Sequence, residues 1–143
     1  MYTFIPEPVV GPADNEIWYT TEDKQVIEPN ITTPGGGPSS TILDRFGANI
    51  ISNTYSNLGI IKFDNNIDKI GEASFMGFEN LTEIYIPKSV KKIGSGAFTD
   101  CYNLTSIIFI GTIEEWDNIT KGYNWNNQVP TTYVQCSDGQ VAL

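Results

Sequence analysis

IKFDNNIDKIGEASFMGFENL, residues 61–81, and IYIPKSVKKIGSGAFTDCYNL, residues 84–104, align without a gap at a period of 23. Identical residues pair Ile61 with Ile84, Lys69 with Lys92, Ile70 with Ile93, Gly71 with Gly94, Phe75 with Phe98, Asn80 with Asn103 and Leu81 with Leu104. Where identity fails, apolar still answers apolar: Phe63 aligns with Ile86, Ile67 with Val90 and Phe78 with Cys101. The unit therefore buries the same face each time it recurs.

A period of about 20 to 29 residues, with one short strand per unit, is the signature of a leucine-rich-repeat solenoid. A helical repeat needs a longer period and sustained i, i+3, i+4 spacing. The expected fold is mostly β with short helices, a short solenoid of about three coils with terminal caps and an amino-terminal β-hairpin arm. Alternation on a strand points Ile61 and Phe63, then Ile84 and Ile86, inward, and Ile107 and Phe109 continue the series. The three strands are expected side by side at about 4.8 Å spacing. Ile70-Gly71 and Ile93-Gly94 should lead into a tight turn, the glycine taking a backbone angle that a β-carbon disfavours, and then a short helical segment carrying Phe75 or Phe98 into the core. Asn80 and Asn103 sit where an amide side chain can bond from one coil to the next.

The pattern I-P-x-S-V-x-x-I-G-x-x-A-F-x-x-C-x-x-L, present from Ile86 to Leu104, resembles the BspA-type leucine-rich repeat. The first unit departs from it, with Asp64 at the proline and Phe78 at the cysteine. The flanks FGANIISNTYSNLGIIKF (46–63) and GTIEEWDNITKGYNWNN (111–127) are similar to the caps of such proteins from gut bacteria and their phages. The resemblance spans about Phe46 to Leu143, is specific for fold, and implies a bacterial surface or virion interaction module, often adhesive, with no reaction.

An open stack needs caps. Ile113, Trp116 and Ile119, three apart, share one face of a short helix that should close the last coil, with Trp125, Tyr133 and Val134 continuing the closure. YVQCSDGQVAL (133–143) reads as strand, Asp138-Gly139 turn and strand. A rival reading makes Trp116, Tyr123 and Trp125 a carbohydrate-stacking platform. The domain organisation is thus a proline- and glycine-rich arm over 1–40 and a repeat domain over 41–143, divided into an amino-terminal cap (41–60), repeats (61–109) and a carboxy-terminal cap (110–143). Within the arm, EIWYTTEDKQVIEP (16–29) reads as a hairpin about Glu22-Asp23-Lys24 that either pairs with the solenoid or stands apart, and ITTPGGGPSS (31–40) as a flexible linker. The leading stretch looks extended, and Tyr2, Phe4 and Ile5 read either as a docking arm or as part of a frayed terminus.

Bulk composition narrows the function classes. The 143 residues hold 8 basic and 17 acidic side chains, a net charge of -9, which repels a phosphate backbone and an anionic membrane. No apolar run approaches the roughly 20 residues of a membrane span, and no signal peptide is visible at the first residues, MYTFIPE. The expectation is no nucleic acid, no membrane insertion, and a place on a cell surface or in a virion.

Nor does the sequence suggest chemistry. Histidine is absent, which removes the commonest general base. Cys101 and Cys136 are too few for a disulfide framework, and Cys101 sits at a core position. Asp64, Asn65, Asn66 and Asp68 hint at calcium without the required loop and terminal acid. Glu114 and Glu115 are adjacent and diverge by about 100° on a helix. Asn30, Asn80, Asn103 and Asn118 open N-x-T sequons that read as coincidence. No enzyme, metal or cofactor is expected.

The expected site is the outward sheet face, with Lys62, Tyr85 and Ile108 in one row and Glu83 with Ser106 in another, recognising a protein or a cell-surface glycan. Three strands give a face only about 10 Å across, so homo-oligomers or the arms are expected to supply affinity; the alternative reading is a structural component of a phage virion or other larger particle, anchored by the Tyr2, Phe4, Ile5 arm.

Overall fold

The computed structural model describes residues 11–32 and 40–143. Ten strands and two short helices follow in the order β1 (Glu16–Thr21), α1 (Ile42–Phe46), β2 (Ile50–Tyr55), β3 (Gly59–Phe63), β4 (Lys69–Ile70), β5 (Leu81–Ile86), β6 (Lys92–Ile93), β7 (Ser106–Phe109), α2 (Ile113–Asp117), β8 (Thr120–Lys121), β9 (Tyr133–Cys136) and β10 (Gly139–Ala142). The protein is thus mostly β with short helices. A seven-stranded sheet runs β10-β9-β7-β5-β1-β3-β2, and a three-stranded sheet runs β4-β6-β8.

The period of 23 is visible directly in the smaller sheet. Lys69 pairs with Lys92 and Ile70 with Ile93 in parallel, and β8 continues the series with Thr120 against Lys92. What lets these layers approach is glycine. A Cβ on Gly71 would lie 2.7 Å from Arg45 Cα, on Gly94 2.5 Å from Glu72 N, and on Gly122 2.4 Å from Ser95 N. The obstacle in each case includes backbone, which cannot swing aside. Gly71 and Gly94 are therefore required by close approach rather than by a special backbone angle, which corrects the sequence expectation. Gly122 is a third member of the column, displaced from Gly94 by 28 residues instead of 23, because the last unit carries α2 before it.

The segments after these glycines are turns, not the expected helical pieces. Bonds run three residues back, from Ala97 N to Gly94 O and from Cys101 N to Phe98 O. Left-handed residues interrupt any helix: Ala73, Gly96 and Asn124 (φ 54°, 63° and 54°) form one set, and Gly77, Asp100 and Gln128 (79°, 63° and 67°) the other. The turns stack by main-chain bonds, Phe75 N to Ala97 O and Phe98 N to Trp125 O, both 2.8 Å. Phe75 and Phe98 are fully buried as expected, with rings stacked at 5.4 Å and 3°. Asn103 Nδ2 donates to Glu79 O of the previous unit at 2.6 Å, the coil-to-coil bond read from the sequence. Asn80 reaches instead to Asp23 Oδ1 of the amino-terminal segment.

That segment holds the main departure from the sequence reading. The hairpin expected over 16–29 does not form. Its first half is β1, inserted antiparallel between β3 and β5, with Ile17 opposite Ile61 and Tyr19 opposite Ile84. The repeat strands at 61 and 84 are therefore not neighbours, whereas those at 84 and 107 are. Alternation puts Ile17 and Tyr19 in the core with no exposure. Tyr19 lies over Gly59, where a Cβ would fall 2.2 Å from the ring. Its hydroxyl donates to Asn53 Oδ1 at 2.7 Å and accepts from Ile27 N. Residues 22–30 then run back across the turn layer, bonding Glu22 N to Asn80 O and Asn30 N to Ser74 O. Residues 16–30 thus make a layer of reversed direction on which the next unit rests. The docking arm of Tyr2, Phe4 and Ile5, and most of the 31–40 linker, lie outside the described residues.

Capping boxes at Thr41/Asp44 and Thr112/Glu115 start the two helices. Trp116 and Ile119 are buried and Ile113 packs against the core, closing the last unit as expected. The β9–β10 hairpin also forms, with its turn at Ser137-Asp138 rather than Asp138-Gly139, because Gly139 already pairs with Cys136 in the ladder. Tyr133, however, is 42% exposed and takes no part in closure. Trp116 and Trp125 are buried and only Tyr123 is open at 82%, so these three do not make a stacking platform.

Both cysteines are buried and free. Cys101 Sγ donates to Phe75 O, and burial pushes its thiol from 9.0 up to about 12. Between those values the unfolded chain has released a proton that the folded chain keeps, so stability falls as pH rises through that window. Urea midpoints measured from pH 8 to 11 should drop above about 9, and Cys101→Ala should flatten part of that slope. Urea titration should also separate the glycines. Gly94→Ala is expected to cost at the upper end of about 1–3 kcal/mol through backbone overlap, and Gly77→Ala, which has open space, about 1 kcal/mol for its left-handed angle.

Candidate functional site

Insertion of β1 decides the geometry of the outward face. One register row crosses all seven strands: Gln140, Gln135, Ile108, Tyr85, Trp18, Ile60 and Thr54. At about 4.8 Å per strand the row is about 29 Å long, against about 10 Å for the three strands expected from sequence. Tyr85 and Ile108 stand in it as expected, and Glu83 pairs with Ser106 in the adjacent row. Lys62 does not join Tyr85. It faces Glu16 across β1, and the place assigned to it belongs to Ile60.

Four contiguous members of the row, Ile108, Tyr85, Trp18 and Ile60, are apolar and only partly buried. Period-two alternation forces this, because their strand neighbours Ile107, Ile84, Ile17, Tyr19 and Ile61 are fully or almost fully enclosed in the core. The Trp18 and Tyr85 rings meet at 6.1 Å and 60°. Each is tethered by a carboxylate two residues away on its own strand. Trp18 Nε1 donates to Glu16 Oε1 at 3.1 Å and the Tyr85 hydroxyl donates to Glu83 Oε1 at 3.3 Å. Burial first, and the charge of Glu83 second, push the Tyr85 phenol above its ordinary value of 10.0. Its O–H therefore remains a donor at neutral pH.

Trp18 is the residue that sequence reasoning missed. From sequence it reads as part of a hairpin whose pairing with the solenoid is open, although EIWYTT has the alternation of a half-buried strand. Gly59, alone in the apolar run LGIIKF, was the available signal, since an isolated strand glycine marks close approach of another group, here Tyr19.

Elsewhere the surface offers less. A groove over the glycine column, lined by Lys69, Lys92, Asp44 and Glu72, holds about 260 Å³, below the roughly 300–1,000 Å³ usual for small-molecule sites. Among the described residues no group of three or more His, Cys, Asp or Glu is placed to hold a metal ion. Asp64 and Asn65 spend side-chain oxygens on Asn49 N and Asn66 N. No helix among the described residues is long and apolar enough to cross a membrane.

Stacked β-rich units with an open, partly apolar sheet face define a repeat protein of the binding type. The family model described as BspA type leucine rich repeat region (6 copies) matches residues 39–122, and the chain belongs to that family. Comparison with curated proteins and with solved structures gave no match. Membership of that repeat family places the chain among non-enzymatic repeat proteins of the binding type. Trp18 lies before the matched residues, so half of the aromatic pair comes from outside the repeats.

The ring contact predicts a measurable coupling. A double-mutant cycle of Trp18→Ala and Tyr85→Ala, read by urea unfolding, should give an interaction of about 0.5–1.5 kcal/mol.

Proposed function

We propose that the chain is a short capped solenoid whose seven-stranded face is a recognition surface for a protein or a glycan, of the kind used in adhesion at a cell or virion exterior. The observation that carries this reading is the stripe of Ile108, Tyr85, Trp18 and Ile60, left partly open on the outward face of a sheet whose other side is closed core. Contiguous apolar side chains on a soluble surface, rimmed by polar groups, mark interaction sites. Aromatic residues near the centre of such a face are the usual energetic anchors. Here the rim is Gln135 and Gln140 at one end and Thr54 at the other.

The inserted and flanking strands widen the contact area that one copy offers, to about 29 Å of face in place of about 10 Å.

Binding to an array of oligosaccharides and to a panel of purified cell-surface proteins tests the reading. Whatever the wild-type chain binds should be weakened at least about tenfold by Trp18→Ala or Tyr85→Ala, and less by Ile108→Ser. Tyr123→Ala, an exposed aromatic outside the stripe, should leave it unchanged. Binding indifferent to all three face substitutions would remove the sheet from consideration.

A further inference from the structure

The aromatic pair does not stand in neutral surroundings. β1 and β5 are antiparallel, with Trp18 opposite Tyr85 and Thr20 opposite Glu83. Glu83 therefore lies to one side of the pair along the strands, and Glu16, two residues before Trp18, lies to the other. The two carboxylates bracket the rings. Glu16 has Lys62 across the β1–β3 ladder, but Glu83 is flanked in its row by the hydroxyl residues Thr20 and Ser106 and by no cation.

Hydrogen bonding sharpens the electrostatics. The indole N–H and the phenol O–H both donate into carboxylate oxygens. Donation from the ring edge to an anion pushes electron density back into the π system and makes the ring faces more negative, which strengthens attraction for a cation. The net charge of -9 adds a field of the same sign over the whole chain. An acidic glycan would meet repulsion from that field and from Glu83. A neutral glycan would gain stacking and hydroxyl donation to the carboxylates, but no charge pairing with them and nothing from the field of the whole chain.

Resting on the recognition reading above, we propose that the occupant of the Trp18–Tyr85 centre is a cationic protein segment, with an arginine or lysine side chain laid over the aromatic pair and its charged end between Glu16 and Glu83. Ile60 and Ile108, at the two ends of the stripe, receive the apolar stems and neighbours of that segment. A planar guanidinium suits the site better than an ammonium, because it stacks on a ring face while donating to carboxylates at its edge.

The test uses the full chain and a flexible peptide carrying three arginines among serines, with a second peptide in which citrulline, neutral and nearly isosteric, replaces each arginine. Binding is read by titration calorimetry at low and at physiological salt. The arginine peptide is expected to bind at least tenfold more tightly than the citrulline peptide. Trp18→Ala should weaken it at least tenfold, while Trp18→Phe retains most of the affinity. Glu83→Gln, which keeps an acceptor for Tyr85 but removes the charge, should weaken it about threefold or more. Far-UV circular dichroism and melting temperature establish that each variant is folded.

Equal binding of the two peptides would overturn the proposal, as would arginine-peptide binding untouched by Trp18→Ala, which would mean bulk attraction to an acidic chain. If neither peptide binds while a neutral oligosaccharide does so in a Trp18-dependent way, the cationic inference falls and the recognition face stands. If no member of the array, the protein panel or the peptides responds to Trp18→Ala or Tyr85→Ala, both fall.

Discussion

Backbone contact at Gly71, Gly94 and Gly122 sets the spacing from which the rest of the architecture follows. At each of these points the neighbouring layer, Arg45, Glu72 or Ser95, occupies the volume a β-carbon would take. The three-stranded sheet can therefore form with direct parallel pairing, and the turns beyond it can stack bond for bond, Ala73 N to Ser95 O and Gly96 N to Tyr123 O. Stacked turns bring Phe75, Phe98 and Trp125 into one aromatic column. The unit is defined less by its leucines than by the place where two backbones touch.

The opposite side of the stack obeys a different constraint. Between β3 and β5 an additional strand is accommodated, so two units that are adjacent at β4 and β6 stand two strand spacings apart at their other edge. Such a splay would leave ladder groups and the Ile61 and Ile84 side chains open. β1 satisfies both, with main-chain pairing on each edge and Ile17 and Tyr19 filling the gap. Tyr19 ties the insertion down a second time, through Asn53 of the edge strand and Ile27 of the returning chain. Asn53 Nδ2 in turn donates to Ile27 O. The inserted layer is thus part of the core.

Much of this was legible in the residues. Apolar alternation located β3, β5 and β7 and their inward side chains, threefold spacing of Ile113, Trp116 and Ile119 located the closing helix, and Asp138-Gly139 located the last turn to within one residue. These are local signals, each written within one segment. Strand pairing between segments distant in sequence is not. The 23-residue alignment states which units are equivalent, but it is silent on whether a third strand lies between two equivalents. Gly71 and Gly94 show the same limit: their recurrence was plain, yet the reason for it depends on a neighbouring layer that no local pattern describes. Trp18 was missed from the site on the same ground, since its role depends wholly on standing beside Tyr85.

The origin of the two rings bears on how recognition is distributed in the molecule. Tyr85 sits on a repeat strand, at the position aligned with Lys62 in the preceding unit, whereas Trp18 is contributed by a strand outside the family-matched residues. A repeat stack alone would present Tyr85 next to an aligned neighbour and a narrow face. The inserted strand replaces that neighbour with an indole, supplies Glu16, and extends the row through Ile60 to Thr54. Because Ile17 and Tyr19 on the inner side of β1 are locked into the core, Trp18 and Glu16 on its outer side are held in fixed register against Tyr85 and Glu83. The physical demand for a buried layer and the arrangement of the exposed face are therefore met by the same six residues. A change in the outward side chains of β1 would alter what the face attracts while leaving the packing of the stack in place.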